Sequence, residues 1–380
     1  MRITFLLLLA ASLGAAEVRL GPEVPLVRSA NGNTTNVAIA WTDSRVMGVW
    51  RSEDASEIVG AFDGGAFSIE RLPGHRLGMP SVAAGRDRFL VAWYDLDGEQ
   101  TRMLARRYTL DAMPVDPIPF VIPTAAAVRN AFEAPGVTAD GDSFVISDVA
   151  NGRLRLLRLN AGGTLSEILA RDVSAEPSAS FPPLKTTSEW VVPYLRFVGI
   201  ANPRGFMEPF FSPTAVRIAF SGSDASSVDT SSSIPTDIVP RVATARTGNQ
   251  FAYATPTLRD AGVRVGLERG SPAGQLLPQS SDVEAVDIAW NGSEYVVVWT
   301  TRSYGSIRAM RLDASGRLLD AAPFDVASRG IATKPSIAVT DRGVIIAYSR
   351  SDPEAGNAPR AFTRTLDRLP LLSRRQSVRH

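Results

Sequence analysis

Cysteine is absent from the 380-residue chain. Its absence excludes disulfides, thiolate nucleophiles, and metal sites or clusters that use cysteine ligands. A chain of this length can bury enough apolar surface to fold without such cross-links. The lack of cysteine therefore removes whole classes of redox and metal chemistry without weakening the expectation of a folded domain.

Histidine is nearly absent as well. The two histidines are His75, in the segment LPGHRLG, and His380, the last residue of the sequence. A Ser-His-Asp triad would have to use His75, and a metal site with several histidines has no second usable ligand. Glycine-rich phosphate loops of the two common types are also missing. We therefore expect His75 to be a surface loop residue, and we predict no metal site and no cofactor.

Charge is balanced, with 40 basic and 39 acidic residues and a net charge of +1. A nucleic-acid partner requires a concentrated basic face, so none is predicted. Arginine supplies all the basic residues except Lys185 and Lys334. The last ten residues, 371–380, form a basic tail that we interpret as a frayed end.

The N-terminus has the pattern of an export signal. Arg2 precedes an apolar stretch from Ile3 to Leu13, which is too short to span a bilayer, and small residues follow it. We predict a signal peptide at 1–16 with cleavage after Ala16, and a secreted or periplasmic mature protein. No later segment contains 18 consecutive apolar residues, so no membrane span is predicted.

Seven copies of one pattern follow each other along the chain. Each copy has a short apolar alternation, a polar turn with Gly, Asn or Asp, and a second apolar run; the clearest copies end that run in an aromatic residue. The copies occupy 36–51, 80–95, 135–150, 177–195, 240–255, 286–301 and 335–350. The aromatics of the four clearest copies are Trp93, Tyr253, Trp299 and Tyr348. In the fourth copy, Pro193 is expected to interrupt the second run.

The internal pattern of a copy predicts the fold class. The copy at 286–326 contains four short period-two runs, VDIAW, EYVVVWT, SIRAMRLD and PFDVA, and no helical periodicity. Four short strands in 40 to 50 residues are typical of one blade of a β-propeller. We predict an all-β propeller of four-stranded antiparallel blades, with seven blades favoured over six or eight. A string of β-sandwich domains is the alternative.

Ring closure gives a separate prediction. The last copy lacks a fourth strand, whereas EVPLVRSA at 23–30 matches the fourth-strand pattern of the sixth copy. An N-terminal strand that completes the last blade would remove both open sheet edges. The predicted organisation is a signal peptide at 1–16, one propeller domain at 17–370 and the tail at 371–380.

The tandem pattern P-x-V-A-x-(G)-x-x-[FY]-L-V-x-W followed by I-x-A-x-R-L-D-x-x-G resembles the repeats of secreted bacterial β-propeller-like proteins. The resemblance covers nearly the whole mature chain and is strongest in the second and sixth copies. It implies a fold and carries no catalytic residue. The signature motifs of WD40, kelch, sialidase and quinoprotein blades are missing.

Two acidic or basic segments can be interpreted in more than one way. YDLDGEQ at 94–100 places Asp95, Asp97 and Glu99 around a glycine, which could bind Ca²⁺, but we favour a solvated turn. Arg308 and Arg311, in the stretch after Trp299, are interpreted as strand positions on a blade face.

The fourth copy contains the candidate binding site. The segment FVGIANPRGFMEPFFSP at 197–213 is much longer than its counterparts and is interpreted as a loop. Its candidate ligand-binding residues are Arg204, Phe206, Phe210 and Phe211, because aromatics on a loop often mark a recognition surface. The alternative is a plug whose Phe side chains pack into the channel or a neighbouring blade. The serine-rich stretch 222–237 is interpreted as a solvated loop.

Two functions of different classes fit these observations. The first is an exported, non-enzymatic propeller, expected to be a monomer, that binds a protein or glycan partner through its loops. The second is a carbohydrate-active enzyme with paired carboxylates in the central funnel. No catalytic residue is predicted, and the first function is favoured.

Overall fold

The computed structural model describes most of the chain between residues 18 and 368. The described residues are 18–28, 34, 36–42, 45–97, 100–122, 124, 134–150, 152–173, 177–201, 208–220, 225–229, 234–235, 243–248, 250–257, 262–268, 274–302, 305–327, 334–352 and 356–368. The predicted signal peptide at 1–16 and the whole basic tail at 371–380 lie outside these ranges.

The described residues form seven antiparallel sheets and no α-helix. Six sheets are built from consecutive strands, and the seventh combines the last three strands with the first. This arrangement is a seven-bladed β-propeller, which confirms the predicted fold class and blade number. Within the described ranges, no helix could cross a membrane.

The strands of the first three blades follow the closing strand, β1 (Val24–Pro25). Blade 1 contains β2 (Ala38–Thr42), β3 (Arg45–Arg51), β4 (Glu57–Phe62) and β5 (Gly65–Arg71). Blade 2 contains β6 (Ser81–Ala84), β7 (Arg88–Asp97), β8 (Gln100–Thr109) and β9 (Phe120–Ile122). Blade 3 contains β10 (Gly136–Asp140), β11 (Ser143–Ala150), β12 (Arg153–Leu159) and β13 (Leu165–Asp172).

Blade 4 is larger than the others. It contains β14 (Pro177–Ser180), β15 (Leu184–Lys185), β16 (Glu189–Ala201), β17 (Glu208–Ala219), β18 (Ala225–Asp229) and β19 (Ile234–Pro235). Blade 5 contains β20 (Ala243–Thr247), β21 (Gln250–Pro256), β22 (Val263–Leu267) and β23 (Gln275–Leu276). Blade 6 contains β24 (Val283–Trp290), β25 (Tyr295–Thr301), β26 (Ile307–Leu312) and β27 (Phe324–Ala327). Blade 7 contains β28 (Ser336–Val339), β29 (Gly343–Asp352), β30 (Ala358–Asp367) and β1.

The first strand of each blade lies at the centre of the ring. The first strands of blades 5, 6, 7, 1, 2 and 3 contact one another in that order, and the first strand of blade 4 contacts the second strand of blade 3. Because the strands of a blade alternate in direction, the turns after the first and third strands lie at one end of the ring, which we call the turn end. The turns after the second strand and the linkers between blades lie at the opposite end, the linker end.

The N-terminal strand closes the ring as predicted. Val24 pairs with Thr363 and Pro25 with Phe362 in β30. Glu23 accepts a 2.5 Å hydrogen bond from the Tyr348 hydroxyl and also forms a salt bridge with Arg350. These bonds lower the pKa of Glu23 despite its partial burial, which on its own would raise that pKa. The closing strand is therefore held by side chains as well as by backbone hydrogen bonds.

The hydrophobic core is divided between the blades. Among the described residues, seven buried clusters each join two adjacent blades, including blades 7 and 1. The four repeat aromatics Trp93, Tyr253, Trp299 and Tyr348 are all buried, and each packs against the preceding blade. All four aromatics therefore belong to the core between blades.

Two expectations about blade 4 are wrong. Pro193 lies inside β16 and pairs with Ala215, so it does not interrupt the strand. It is tolerated because the inner strand is itself split opposite it, between β14 and β15, where a missing N–H costs no ladder hydrogen bond. The stretch 222–237 is not simply a loop, since β18 lies within it and pairs with β17.

A buried ion pair at the turn end is repeated in blades 2 and 6. Arg107 Nη2 lies 2.6 Å from Asp116 Oδ1, and Arg311 Nη2 lies 2.6 Å from Asp320 Oδ1. The backbone N–H of each arginine also donates to its aspartate, at 2.9 and 2.8 Å. We call these pairs the clamps, because each ties the third strand to the segment leading to the fourth. Arg308 and Arg311 both lie in β26, as predicted, and Arg311 is buried.

Candidate functional site

The candidate binding segment of blade 4 is a β-hairpin over its described part. Pairing of β16 with β17 continues from Glu189↔Ala219 to Ala201↔Glu208, with one bulge between Phe197 and Gly199. The segment 197–213 is therefore largely strand, and its interpretation as a loop is wrong. Phe197, Val198 and Ile200 in one arm and Phe210 and Phe211 in the other are residue types that favour strands, which explains why the segment pairs instead of forming a loop.

The hairpin extends beyond its own blade. Pairing of β16 with the inner strand ends at Pro177↔Arg196, so in the described ranges residues 197–201 pair with β17 alone. Five residues at about 3.3 Å each extend roughly 16 Å. The second strands of the other blades contain 7 to 10 residues, whereas β16 contains 13. Blade 4 thus projects at the linker end.

Two of the four candidate residues lie in the described part of the hairpin, and two lie outside it. Phe210 and Phe211 lie in β17, where they pair with Gly199 and Phe197 on one side and with Pro235 and Ile234 on the other. Arg204 and Phe206 fall in 202–207, outside the described residues. The register places three phenylalanines of the sequence near the tip of one hairpin.

A second polar site lies at the linker end of blade 2. The His75 Nδ1–H donates to Asp95 Oδ1 at 2.9 Å, and Arg102 forms a salt bridge with the other oxygen of Asp95. His75 Nε2 lies 3.7 Å from Asp97 Oδ2. The linker holds this geometry because Leu96 N donates to Arg76 O and Gly78 N donates to Tyr94 O. His75 therefore connects an interblade linker to the end of β7.

The charges around His75 set its protonation. The hydrogen bond to Asp95 raises the pKa of His75, and the nearby carboxylates of Asp95 and Asp97 act in the same direction. Partial burial and Arg102 oppose this shift. Asp95 itself is fully buried, so the interpretation of this segment as a solvated turn is wrong for Asp95.

A third polar group lies on the innermost strand of blade 6. Asp287 accepts 2.8 Å hydrogen bonds from the backbone N–H groups of Ile288 and of Ile337 in β28. Ser336 makes a similar contact in the next blade, where it accepts from Ile39 N at 3.3 Å. Burial raises the pKa of Asp287 to about 6, although Lys334 and the two N–H donors lower it. Asp287 thus links the inner strands of two blades.

Metal ligation gains no support from this geometry. Among the residues that the structure describes, no three His, Cys, Asp or Glu side chains cluster in a way that could hold a metal ion. Asp95 already uses both oxygens on His75 and Arg102.

Sequence reasoning missed the pairing of His75 with Asp95 because the two residues lie 20 positions apart and belong to different elements. The sequence did contain one signal for a buried carboxylate: Asp95 directly follows Trp93 and Tyr94 at the end of an apolar run.

No family model matches the sequence, and no curated protein matches it. Solved structures do resemble the fold. The Phage phi92 endosialidase has a TM-score of 0.51 and 10% identity, with coverage of 96% of this chain and 71% of that chain. The β-propeller domain of the Trilobed protease from Pyrococcus furiosus has a TM-score of 0.50 and 12% identity, with coverage of 87% and 97%. At these identities the likeness concerns the fold alone: this chain is similar to them as a β-propeller.

Proposed function

We propose that this protein is an exported, non-enzymatic binding scaffold whose projecting blade 4 hairpin contacts a protein or glycan partner. The observation that carries the proposal is the length and register of the hairpin, which continues to Ala201↔Glu208 beyond the inner strand of its blade. The second strands of the other six blades are three to six residues shorter than β16. Those of blades 2 and 7 also continue past their inner strands, to Asp97 and Asp352, so it is the total length of the blade 4 hairpin that sets it apart.

The projecting ribbon has the properties of a recognition element. Its sequence carries Phe197, Phe210 and Phe211, and aromatic residues are enriched among the anchors of interfaces and on sugar-contacting surfaces. Residues 197–201 have one pairing partner in the described ranges, so their other edge can accept an added strand. Both features favour binding at the linker end of the ring.

Carboxylates near the channel are engaged in structural contacts. Asp140 forms salt bridges with Arg158, at 2.7 Å, and with Lys185, while Asp287 accepts two backbone N–H groups. Glycoside hydrolysis requires two carboxyl groups about 5 to 10 Å apart that are free to exchange protons. Hydrolysis of a bound glycan is therefore kept as an outcome of the test.

The test is a glycan array and a pull-down with residues 17–380 and two variants. The first variant replaces 197–211 with Asn-Gly, which joins the paired residues Arg196 and Ser212 by a two-residue turn. The matched control replaces 353–357 with Asn-Gly between the paired residues Asp352 and Ala358 of blade 7.

We expect the mature protein and the control to retain a partner that the blade 4 variant loses, with equal melting temperatures. Equal binding by all three proteins would reject the hairpin as the contact element. Turnover of a bound glycan would reject the non-enzymatic scaffold. Export is tested separately by N-terminal sequencing of the processed protein, which should begin at Glu17.

A further inference from the structure

An exposed apolar surface lies on the outer part of blade 2. Eight large hydrophobic residues are exposed in the described ranges, and half of them lie within nine positions of this blade. They are Met113, Val115, Ile118 and Val121, with exposed fractions of 63, 38, 74 and 57%. We call these four residues the blade 2 patch. The concentration requires an explanation, because singly scattered surface hydrophobics are ordinary and grouped ones are not.

Blade 6 has the same backbone arrangement. The backbone N–H of Thr109 in blade 2 donates to the carbonyl four residues later at 2.8 Å, and the N–H of Asp313 in blade 6 does the same at 2.9 Å. Val115 N and Leu319 N both donate to the carbonyl of the clamp arginine, at 2.9 and 3.0 Å. The clamp aspartates follow their arginines by nine residues in both blades. The two segments can therefore be compared position by position.

Blade 6 places different side chains at three of the four patch positions, while Leu319 stands in for Val115. Arg317 stands where blade 2 has Met113, Ala322 where it has Ile118, and Asp325 where it has Val121; all three are exposed in blade 6. The fold thus accepts an arginine, an alanine and an aspartate at these positions. Met113, Ile118 and Val121 are therefore not required as apolar residues to build the blade.

The outermost strand of blade 2 also differs in charge from that of blade 6. The outermost strands of blades 1, 3 and 6 carry charged residues, among them Glu70, Glu167 and Asp325, which discourage pairing with another strand. The outermost strand of blade 2, β9, is Phe-Val-Ile and has no charge. The outermost strands of blades 5 and 7, β23 and β1, are uncharged too, but each is only two residues long. In the described ranges β9 pairs with β8 alone, so its outer edge is open.

We infer that the blade 2 patch is a self-association surface that binds the same patch of a second copy of this chain. A two-fold axis beside β9 would pair its open edge with the partner's β9 and bring the two patches together. An uncharged apolar patch is complementary to itself, whereas a charged edge would repel its own copy. The sequence predicts a monomer, and the experiment below decides between that expectation and the dimer.

The size of the patch sets the expected strength. Four large side chains that are each more than a third exposed make a patch of a few hundred Å². Two such faces with their rims bury on the order of 1,000 Å² in total, which is at the low end for specific interfaces. The dimer is therefore expected to be weak, with dissociation in the micromolar range.

The experiment exchanges residues between the two blades. Sedimentation equilibrium of residues 17–380 is measured from about 1 to 500 μM, a range that brackets a micromolar dissociation constant. The patch variant carries Met113→Arg, Ile118→Ala and Val121→Asp. The reciprocal variant carries Arg317→Met, Ala322→Ile and Asp325→Val. Melting temperatures verify that all three proteins fold.

We expect a reversible dimer for the unmodified protein and at least a tenfold weaker association for the patch variant. The reciprocal variant presents two patches on different blades and should form species larger than a dimer. A monomer across the whole range would overturn the inference. A dimer that the patch variant leaves unchanged would overturn it equally, because association would then use another surface.

Discussion

Blades 2 and 6 are built on the same clamp, the same turn and the same core tryptophan, yet they differ at several positions where a side chain meets solvent or a neighbouring element. At the linker end, blade 2 has the buried carboxylate of Asp95, whereas the corresponding residue in blade 6 is Thr301, which bonds Ser306 at 2.9 Å. On the inner strand the difference is reversed, with Asp287 in blade 6 and Ser81 in blade 2. The repeat thus fixes the frame and leaves these positions open to other roles.

The two clamps also differ in their second partners. Arg107 donates to Ala161 O at 2.6 Å and to Asn160 O at 3.2 Å, so it ties blade 2 to blade 3. Arg311 has a second carboxylate near it, since Glu294 lies 3.8 Å away within its own blade. The clamp of blade 2 therefore supports a junction between blades, whereas the clamp of blade 6 has a second carboxylate of its own blade near its arginine.

Removing a clamp aspartate should have the largest effect. Asp116→Ala leaves the buried guanidinium of Arg107 without a carboxylate, and such uncompensated charges cost about 3 to 5 kcal/mol. Asp320→Ala should cost less, because Glu294 still offsets the charge of Arg311. Urea unfolding monitored by tryptophan fluorescence gives both values.

The control for the clamps is Asp111→Ala, which removes an exposed carboxylate from the same turn of blade 2. Its cost should stay below about 0.5 kcal/mol, as for surface positions in general. Equal losses for Asp116→Ala and Asp320→Ala would show that Glu294 does not support Arg311.

The frame of the protein could be predicted from the sequence because it repeats. Trp93 and Trp299 mark the same core position in two copies, and the strand at Val24 matches a pattern present elsewhere in the chain. The sequence also contains the signal for the clamps, since Arg107 and Arg311 each precede an aspartate by nine residues. The spacing was not interpreted as a pair because the intervening turn, which folds the two ends together, is visible only in three dimensions.

The candidate sites were harder to predict because they do not repeat. His75 meets Asp95 across a linker between blades, a contact that no periodicity encodes. The projecting hairpin of blade 4 was interpreted as a loop because its bulge at Gly199 and its prolines break the strand pattern. Features unique to one blade have no second copy against which they can be aligned.

Asp287→Asn should have the second largest effect, and the effect should depend on pH. The folded pKa of about 6 lies above the ordinary value near 3.9. The contribution of Asp287 to the free energy of unfolding is therefore fully present below pH 3.9 and is lost as pH rises through 6. About two pKa units correspond to roughly 2 to 3 kcal/mol between pH 4 and 7. Asparagine stays neutral, so the variant should lose this pH dependence.

Urea unfolding at pH 4, 5, 6 and 7 measures this difference, with Asp325→Asn as the control from the exposed part of the same blade. The control should leave the pH profile of the unmodified protein intact. If Asp287→Asn follows the same profile as the control, then Asp287 is ionised in the folded protein without cost, and burial does not govern its titration.

The turn residue of the clamp should have a smaller effect, of opposite sign in the two blades. Gly316 has φ of 83°, and a Cβ there would lie 3.1 Å from Leu267 Cδ1. Ala112 occupies the same place in blade 2 with φ of 57°. Gly316→Ala should destabilise by about 1 kcal/mol, whereas Ala112→Gly should stabilise by up to about 1 kcal/mol. Thermal unfolding of both variants gives the signs, and like signs would contradict the equivalence of the turns.

The smallest expected effect concerns His75. It tests whether the linker end of blade 2 responds to pH while the linker end of blade 6 does not. The folded pKa of His75 is raised, chiefly by its hydrogen bond to Asp95, so the imidazolium is favoured in the folded protein. Its stabilisation is fully present below the unfolded pKa near 6.5 and is lost as pH rises through the higher folded pKa. His75→Gln should flatten the stability profile above pH 6.5, whereas Thr301→Val in blade 6 should shift it uniformly. An NMR titration of the ring protons checks the direction, and a folded pKa below 6.5 would mean that Arg102 outweighs Asp95 at this site.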